Sequence, residues 1–222
     1  MDCTHIPEIS CFYSDTIASH ILNPSAHFEY EMILVTDGSA QVQIHDRTYP
    51  LQRGSLLFIS RLEQHQFCIV KEPSCRSVLS VSSDLLLSHL NEPRLASIFM
   101  QRPEYFSHVV QLNEEQLAYF LPFFQKSADE YEKQPGFYTL QSIALLLSIL
   151  ISLYRLYPNA FPMEDSSSLS AAVLNAQIYV SRHFNRKLTL QEIADQCFLN
   201  RHTLSLAFKE IVGITFKEYL LL

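Results

Sequence analysis

Residues 188–222 read LTLQEIADQCFLNRHTLSLAFKEIVGITFKEYLLL, and this stretch predicts short helices joined by tight turns. Thr189 followed three residues later by Glu192 is the capping-box pattern of a helix start. After a three-residue turn, Asn200 is a preferred N-cap and Gly213 a preferred helix stop. A second helix is therefore predicted between them.

The predicted pair of helices has the layout of a DNA-binding helix-turn-helix, whose second helix enters the major groove. Ala194 is the small residue that such a crossing needs. A purely structural helical hairpin fits the same pattern and stays open. The apolar positions that are expected to meet across the turn are Ile193, Cys197, Leu199, Leu204 and Phe208.

The second helix is predicted to carry the DNA-binding residues on its outer side. Its two cations are placed to reach phosphates, and two polar side chains are placed to reach base edges. A leucine among them can contact a thymine methyl group. The predicted DNA-binding residues are Arg201, His202, Ser205, Leu206 and Lys209.

Residues 183–219 resemble the first helix-turn-helix of the AraC-type transcriptional regulators. The resemblance rests on Leu-x-Glu-Ile-Ala at 190–194 and on Leu204-x3-Phe208-Lys209-x3-Gly213-x2-Phe216-x2-Tyr219. It implies a DNA reader whose base-facing positions fall on His202, Ser205 and Leu206, and whose phosphate-facing positions fall on Arg201 and Lys209. Many relatives carry arginine or another polar residue where this chain has Leu206.

AraC-type regulators have two helix-turn-helix units joined by a long helix, and this chain ends inside that joining helix. The resemblance therefore implies a DNA-binding region truncated after its first unit. Fewer phosphate contacts mean lower affinity, so we expect weak or no operator binding by the chain alone. Dimerisation would recover part of that loss by effective concentration.

The first 82 residues predict an all-β domain, because strand-forming runs alternate with turn signals at the spacing of a sandwich or barrel. From Ser83 the periodicity becomes helical. The predicted strands are 29–35, 40–44, 49–51, 56–59, 66–70 and 77–81, and the predicted helices are 85–100, 113–131 and 137–157.

Ile143–Ile151 is apolar on nearly every face, which predicts burial. Burial in the core of its own domain and burial in a dimer interface both fit, and we prefer the homodimer. The run is shorter than the roughly 20 residues that span a bilayer, so no membrane partner is predicted. Residues 158–170 combine proline, acidic residues and serine, as interdomain linkers do.

His27 and Glu31 lie four apart on a predicted strand, so they should share a face with Glu29. With Gly38, Gly54 and His65 they resemble the two motifs of the cupin barrels, in which His27, Glu31 and His65 take metal-ligand positions. Ser25 stands where cupins have a further histidine, and Ser60 and Leu62 replace their usual proline and glycine. AraC-type sensor domains resemble cupins in the same way, usually without metal, and enclose a small effector.

We predict that His27, Glu29, Glu31 and His65 contact a small-molecule effector, because a polar cluster in an apolar barrel is the usual form of a ligand pocket. Structural hydrogen bonding within the barrel stays open. So does an iron, manganese or zinc ion held by two histidines and a carboxylate. Neither a metal nor another cofactor is part of the preferred interpretation.

Composition bounds the function. The chain has 222 residues, 48% of them hydrophobic and 18% charged, which excludes wholesale disorder. Its net charge of −7 excludes a basic coat over the whole chain, although residues 166–222 hold 6 basic and 4 acidic residues. Five cysteines without a C-x-x-C pair argue against a disulfide framework or a zinc finger. The N-terminus has no signal-peptide pattern, which predicts a cytoplasmic protein.

The predicted fold class is α+β: a cupin-like barrel with a helical dimerisation segment, followed by a small all-α helix-turn-helix domain. The predicted domains are the sensor barrel (1–82), the dimerisation segment (83–157), the linker (158–170) and the incomplete DNA-binding region (171–222). The predicted function is AraC-type regulation of transcription in response to an effector, without enzymatic activity. The alternatives are a metal-dependent cupin enzyme and a DNA-incompetent dimerisation partner of a full-length regulator.

Overall fold

The computed structural model describes residues 8–16, 24–90, 92–103, 105–162, 168–183 and 186–221. Contacts divide the chain into two compact units. The N-terminal unit comprises Met1–His89 and Ser107–Leu153, and the C-terminal unit comprises Leu90–Phe106 and Tyr154–Leu222. The predicted α+β class is confirmed, since an antiparallel sheet dominates the N-terminal unit and helices follow it along the chain.

The sheet of the N-terminal unit is antiparallel at every described pairing, in the order β1-β5-β2-β4-β6, and β3 pairs separately with β2. Neither β1 nor β6 was predicted from the sequence. The strands of the described residues are β1 (Ile9–Thr16), β2 (Tyr30–Ile44), β3 (Arg47–Gln52), β4 (Ser55–Ile59), β5 (His65–Val81) and β6 (Val109–Gln111).

Both β2 and β5 are single long strands where the sequence pattern predicted two each. The break between the predicted strands 29–35 and 40–44 is instead an irregularity within β2, whose register with β5 shifts between Val35 and Ala40. Gly38 has a φ of 74°, and its N–H donates to Oδ1 of Asp37 at 2.8 Å. Because β5 stays paired with β2 on both sides of this point, the chain bends without turning back.

One face of the sheet carries the core, because side chains alternate between faces along each strand. Tyr49 and Val109 pack against this core while staying partly exposed. Glu31 and Ser80 pair in register next to Ile33 and Val78, so the same face becomes polar at one end. The buried core residues are Ile33, Val35, Ala40, Val42, Ile44, Leu51, Leu57, Ile59, Phe67 and Val78.

The single helix predicted over 85–100 was wrong, because the chain forms α1 (Ser83–His89) and α2 (Pro93–Met100). Proline cannot donate the backbone hydrogen bond that a continuing helix needs, but it suits a first turn. Glu92 caps α2 by accepting from the N–H of Arg94.

Two longer helices follow, α3 (Glu114–Lys133) and α4 (Tyr138–Leu156). Asn113 and Gln116 form a reciprocal capping box at the start of α3. The α4 helix has the length and composition to cross a membrane, with a mean hydropathy of 1.6. Seven of its residues are buried in the fold, and a core helix satisfies the same criterion.

The C-terminal unit continues with a short 3₁₀ turn at Pro158–Ala160 and then with α5 (Ser168–His183). Three short helices complete it: α6 (Leu190–Gln196), α7 (Arg201–Val212) and α8 (Phe216–Leu221). Residues 163–167 of the predicted linker lie outside the described residues. The four-part domain division stays a prediction, and contacts group Leu90–Phe106 with the C-terminal unit.

Candidate DNA interface and effector site

Helices α6 and α7 form the predicted helix-turn-helix. Ala194 is fully buried, and Ile193, Leu204 and Phe208 are also fully buried in one cluster, while Cys197 and Leu199 pack against it. This arrangement confirms the predicted packing across the turn, and it fixes which side of α7 faces away from the core.

Both helices start at the predicted caps. Thr189 Oγ1 accepts from the N–H of Glu192 at 3.2 Å, and Asn200 Oδ1 accepts from the N–H of Thr203 at 2.8 Å. Gly213 ends α7 in the left-handed conformation. These caps satisfy terminal backbone groups, so α7 has a defined start and end.

The reading face of α7 consists of the five residues predicted to bind DNA. Arg201, His202 and Lys209 are exposed, Leu206 is 57% exposed, and Ser205 is half-buried. All five side chains are thus accessible in the chain, although which of them touch DNA stays a prediction.

A network of polar side chains joins α5 to α6. The hydroxyl of Tyr179 donates to Oε1 of Glu192 at 2.9 Å, and Arg186 pairs with the same carboxylate. Arg186, followed by Tyr179, holds the pKa of Glu192 below its ordinary value. The start of α6 is therefore tied to the helix that precedes it.

The N-terminal unit brings His27, Glu31 and His65 together. Nε2 of His27 lies 3.2 Å from Oε2 of Glu31, and the rings of His27 and His65 meet edge to face with centroids 5.1 Å apart. One ligand atom from each of the three side chains lies within 4.8 Å of the others. The prediction that His27 lies on a strand was wrong, because β2 begins at Tyr30.

Backbone carbonyls orient both imidazoles in this cluster. Nδ1 of His27 donates to the carbonyl of Glu29 at 3.1 Å, and Nδ1 of His65 donates to the carbonyl of Glu63 at 2.9 Å. Since a carbonyl only accepts, each neutral ring presents an unprotonated Nε2 to the cluster. The hydroxyl of Ser25 then donates to Nε2 of His65 at 2.9 Å.

The charges of this cluster follow from burial and proximity. Burial lowers the pKa of His27, but the Glu31 carboxylate outweighs that effect and the pKa is raised. Burial likewise opposes ionisation of Glu31, yet His27 and the hydroxyl of Ser80 hold its pKa below the ordinary value. Burial lowers the pKa of His65. The arrangement favours a His27–Glu31 ion pair beside a neutral His65.

Glu29 occupies a different position from the other three predicted effector residues. Its backbone carbonyl accepts from His27, while its carboxylate lies 3.8 Å from Nδ1 of His27. Glu29 therefore borders the cluster, and the three side chains that meet are those of His27, Glu31 and His65.

A cavity of about 590 Å³ opens on the core face of the sheet. Its lining includes the buried core residue Leu51, the partly exposed Tyr49 and Val109, and the amide-bearing residues Gln52 and Gln111. None of the four predicted effector residues lines it. The lining residues are Ser39, Ala40, Gln41, Tyr49, Pro50, Leu51, Gln52, Ser107, Val109 and Gln111.

Hydrogen bonds to the side chain and to the backbone of Glu63 connect the cavity residue Tyr49 with the histidine cluster. Nδ1 of His108 lies 2.9 Å from the hydroxyl of Tyr49, and Nε2 of His108 lies 2.9 Å from Oε1 of buried Glu63. The carbonyl of Glu63 accepts from His65. Sequence reasoning missed this path, because Val109 and His108 stand at a three-residue strand that no periodic signal marks.

Two family profiles match the chain: residues 7–150 match the AraC-like ligand binding domain, and residues 180–221 match the bacterial regulatory helix-turn-helix proteins of the AraC family. No curated protein matches. The crystal structure of unsaturated fatty acid bound ToxT from Vibrio cholerae strain SCE256 has a TM-score of 0.56 and 13% identity, over 96% of this chain and 76% of that one. The AraC-like transcriptional activator CuxR has a TM-score of 0.43 and 12% identity, over 87% and 65%.

Proposed function

The chain belongs to the AraC family, because the ligand-binding profile alone covers residues 7–150, and on that basis we propose that it is a sequence-specific transcriptional regulator that responds to a small-molecule effector. The observation that carries the proposal is the capped, accessible reading face of α7. We place this activity in the cytoplasm, where bacterial DNA lies.

DNA binding by this chain should be weak for one protomer. The described residues contain one helix-turn-helix, and Arg201 and Lys209 are the cations of its reading face. Two phosphate contacts release few counterions, so a second protomer at a neighbouring half-site would contribute much of the affinity.

The test is a salt titration of DNA binding. Labelled 30-bp duplexes would be selected from a random pool by the wild-type protein, and their affinity measured by fluorescence anisotropy between about 50 and 200 mM salt. Arg201→Ala and Lys209→Ala should each weaken binding and lower the salt slope by about 1. Lys126→Ala, on α3 of the other unit, is the control. Failure to select any duplex, with the protein folded, contradicts the proposal.

We place the effector in the cavity beside Tyr49. Its volume is within the range of small-molecule sites, and apolar walls with a few polar groups are the usual lining of such sites. The described lining residues carry no formal charge, which favours an uncharged effector, since a charged group there would lose water without gaining a partner. The hydrogen-bond path through His108 and Glu63 then links the effector to the His27 cluster.

A cavity-filling variant tests this placement. Thermal-shift screening of neutral and anionic metabolites should find neutral compounds that raise the Tm of the wild type. Ala40→Phe should abolish their effect by filling the cavity. Gln43→Phe, at an exposed position of the same strand, should not. If the Ala40→Phe protein responds like the wild type, the effector binds elsewhere.

We further propose a homodimer, supported by the exposed apolar side chains of α4. Leu140, Ala144 and Ile151 are exposed and lie at helical spacing on one stripe of this helix. Two protomers would bring two reading faces to one operator, so an effector that changes the dimer would change DNA affinity.

A second candidate function is a metal-dependent cupin enzyme, favoured by the His27, Glu31 and His65 cluster. Two histidines and a carboxylate suit iron, manganese or zinc, and histidine ligands that donate their other nitrogen to a carbonyl are typical of metal sites. Stoichiometric metal in purified protein, lost in His65→Ala, would favour this candidate. Metal-free protein that still binds DNA would exclude it.

A further inference from the structure

The turn of the helix-turn-helix has an unusual residue at its centre. The N–H of Phe198 donates to the carbonyl of Asp195 at 3.2 Å, and the N–H of Leu199 donates to the carbonyl of Ala194 at 2.9 Å. These two bonds form the Schellman motif that closes α6, and its C′ residue must be left-handed. That residue is Phe198, with a φ of 55°, where glycine is the usual choice.

The left-handed backbone conformation of Phe198 is unfavourable for a residue with a bulky side chain. Packing within the chain does not compensate for this strain. A residue with a Cβ atom in this region meets the following carbonyl oxygen. The ring of Phe198 is 97% exposed, so no burial within the chain offsets the strain. Leu199, the next residue, is partly buried against the helix-turn-helix core and accounts for the packing of the turn.

The place of Phe198 relative to α7 points to what its ring contacts. Phe198 lies two residues before the Asn200 cap, and Arg201 and His202 follow in the first turn of α7. In a helix-turn-helix the N-terminal residues of the second helix approach the bases, and a helix N-terminus attracts phosphate. A side chain two residues before that N-terminus is therefore within reach of the duplex when α7 lies in the groove.

We propose that Phe198 is a DNA-contact residue, whose ring packs on apolar atoms of the duplex, namely deoxyribose carbons and a thymine methyl group. This inference rests on the proposed DNA-binding function. Phenylalanine makes such contacts with bases and base steps in other DNA-binding proteins. The strain at this exposed position is then compensated by a contact that forms only in the complex with DNA.

The surroundings of the ring favour DNA over a protein partner. The exposed residues nearest to it in the sequence, Asp195, Gln196, Asn200 and Arg201, are all polar or charged. A stable protein interface buries a contiguous patch of several hundred Å² on each side. A single ring among polar groups does not form such a patch, whereas a groove edge presents isolated apolar atoms between phosphates.

The experiment uses the selected 30-bp duplex and four proteins: wild type, Phe198→Gly, Arg201→Ala and Phe137→Gly. Phe137 is the matched control, because it is also left-handed (φ 67°) and 85% exposed but lies in the N-terminal unit. Phe198→Gly should weaken binding by about tenfold with an unchanged salt slope, since the lost contact is uncharged. Arg201→Ala should lower the slope, and Phe137→Gly should bind like the wild type.

Misfolding cannot explain the expected loss, because glycine relieves strain. The Tm of Phe198→Gly should rise by about 4 °C, as measured by circular dichroism. Wild-type affinity in Phe198→Gly alongside weakened binding by Arg201→Ala overturns the inference and leaves the proposed function standing. A lowered salt slope in Phe198→Gly also overturns it. If no duplex binds the wild type, the proposed function itself fails.

Discussion

The imidazole of His27 and the carboxylate of Glu31 stand 3.2 Å apart, Nε2 to Oε2, on the core side of the sheet. Ser80 donates to the other carboxylate oxygen at 2.9 Å, and the carbonyl of Glu29 fixes the far side of the imidazole. Proximity to Glu31 outweighs burial and raises the pKa of His27. The pair therefore couples the stability of the N-terminal unit to pH.

Glu31→Gln should change how stability depends on pH. In the wild type the raised pKa of His27 contributes stability below about pH 6.5, which is lost as pH rises through the folded-state pKa. In the variant the two effects of Glu31 on the His27 pKa are lost, and only Glu29 still opposes the lowering by burial, so most of that contribution disappears. The wild type should be more stable than Glu31→Gln by about 1–2 kcal/mol of unfolding free energy near pH 6, and this difference should narrow towards pH 8. Urea titrations in EDTA would measure it.

The ion pair is tested further by a control variant and by the acidic end of the same titration. Glu29→Gln is the control, because its carboxylate lies farther from the imidazole, and it should change the profile little. The lowered pKa of Glu31 contributes stability that is present above about pH 4.5 and is lost in more acidic solution. A stability difference between the wild type and Glu31→Gln that widens from pH 6 to pH 8 would contradict the ion pair.

Gly54→Ala should severely destabilise the N-terminal unit. Gly54 has a φ of +84°, and an added Cβ atom would lie 2.5 Å from the carbonyl oxygen of Leu112. That carbonyl is backbone and cannot move away, so we expect a loss of about 3 kcal/mol or more. Gly213→Ala provides the comparison: its φ is +86°, but the space around it is open. Strain alone should cost about 1 kcal/mol there.

Thermal and urea unfolding followed by circular dichroism would measure both variants, since the chain has no tryptophan for fluorescence. Equal losses in the two proteins would mean that backbone strain, and not the close approach to Leu112, accounts for the glycine at position 54.

Leu206→Arg should strengthen DNA binding. Leu206 is 57% exposed on the reading face, so a longer charged side chain is tolerated. A new phosphate or guanine contact should raise affinity at low salt and increase the salt slope by about 1. Leu206→Gln is the uncharged control and should leave the slope unchanged. An unchanged slope in Leu206→Arg would place this position away from the duplex.

Ile151→Glu should convert the proposed homodimer into monomers. Ile151 is 38% exposed on the α4 stripe, and a buried carboxylate at an interface is strongly unfavourable. Light scattering would show whether the molecular mass falls from that of a dimer to that of a monomer. The affinity for the operator should fall together with the mass. Gln125→Glu, at an exposed position of α3, is the control. A wild-type protein that is monomeric at all concentrations would refute this interface.

Local signals were sufficient to predict the helix-turn-helix. The predicted span of α7 coincides with Arg201–Val212, and Thr189, Asn200 and Gly213 act as the caps they were predicted to be. Because a cap forms between residues three or four apart, the local sequence is sufficient to predict it. The roles of His27, Glu29, Glu31 and His65 towards an effector stay predictions.

Long-range pairing decided the rest. Only the register of β2 and β5 sets Glu31 against Ser80, and the pairing of β6 with β4 brings Val109 and Gln111 to the cavity beside Tyr49. The sequence by itself determined the α+β class, the helix caps and the side of α7 that faces outward, because these follow from periodicity and neighbouring residues. Which distant side chains meet depends on which strands pair and in what register. Periodicity along the sequence does not specify that pairing.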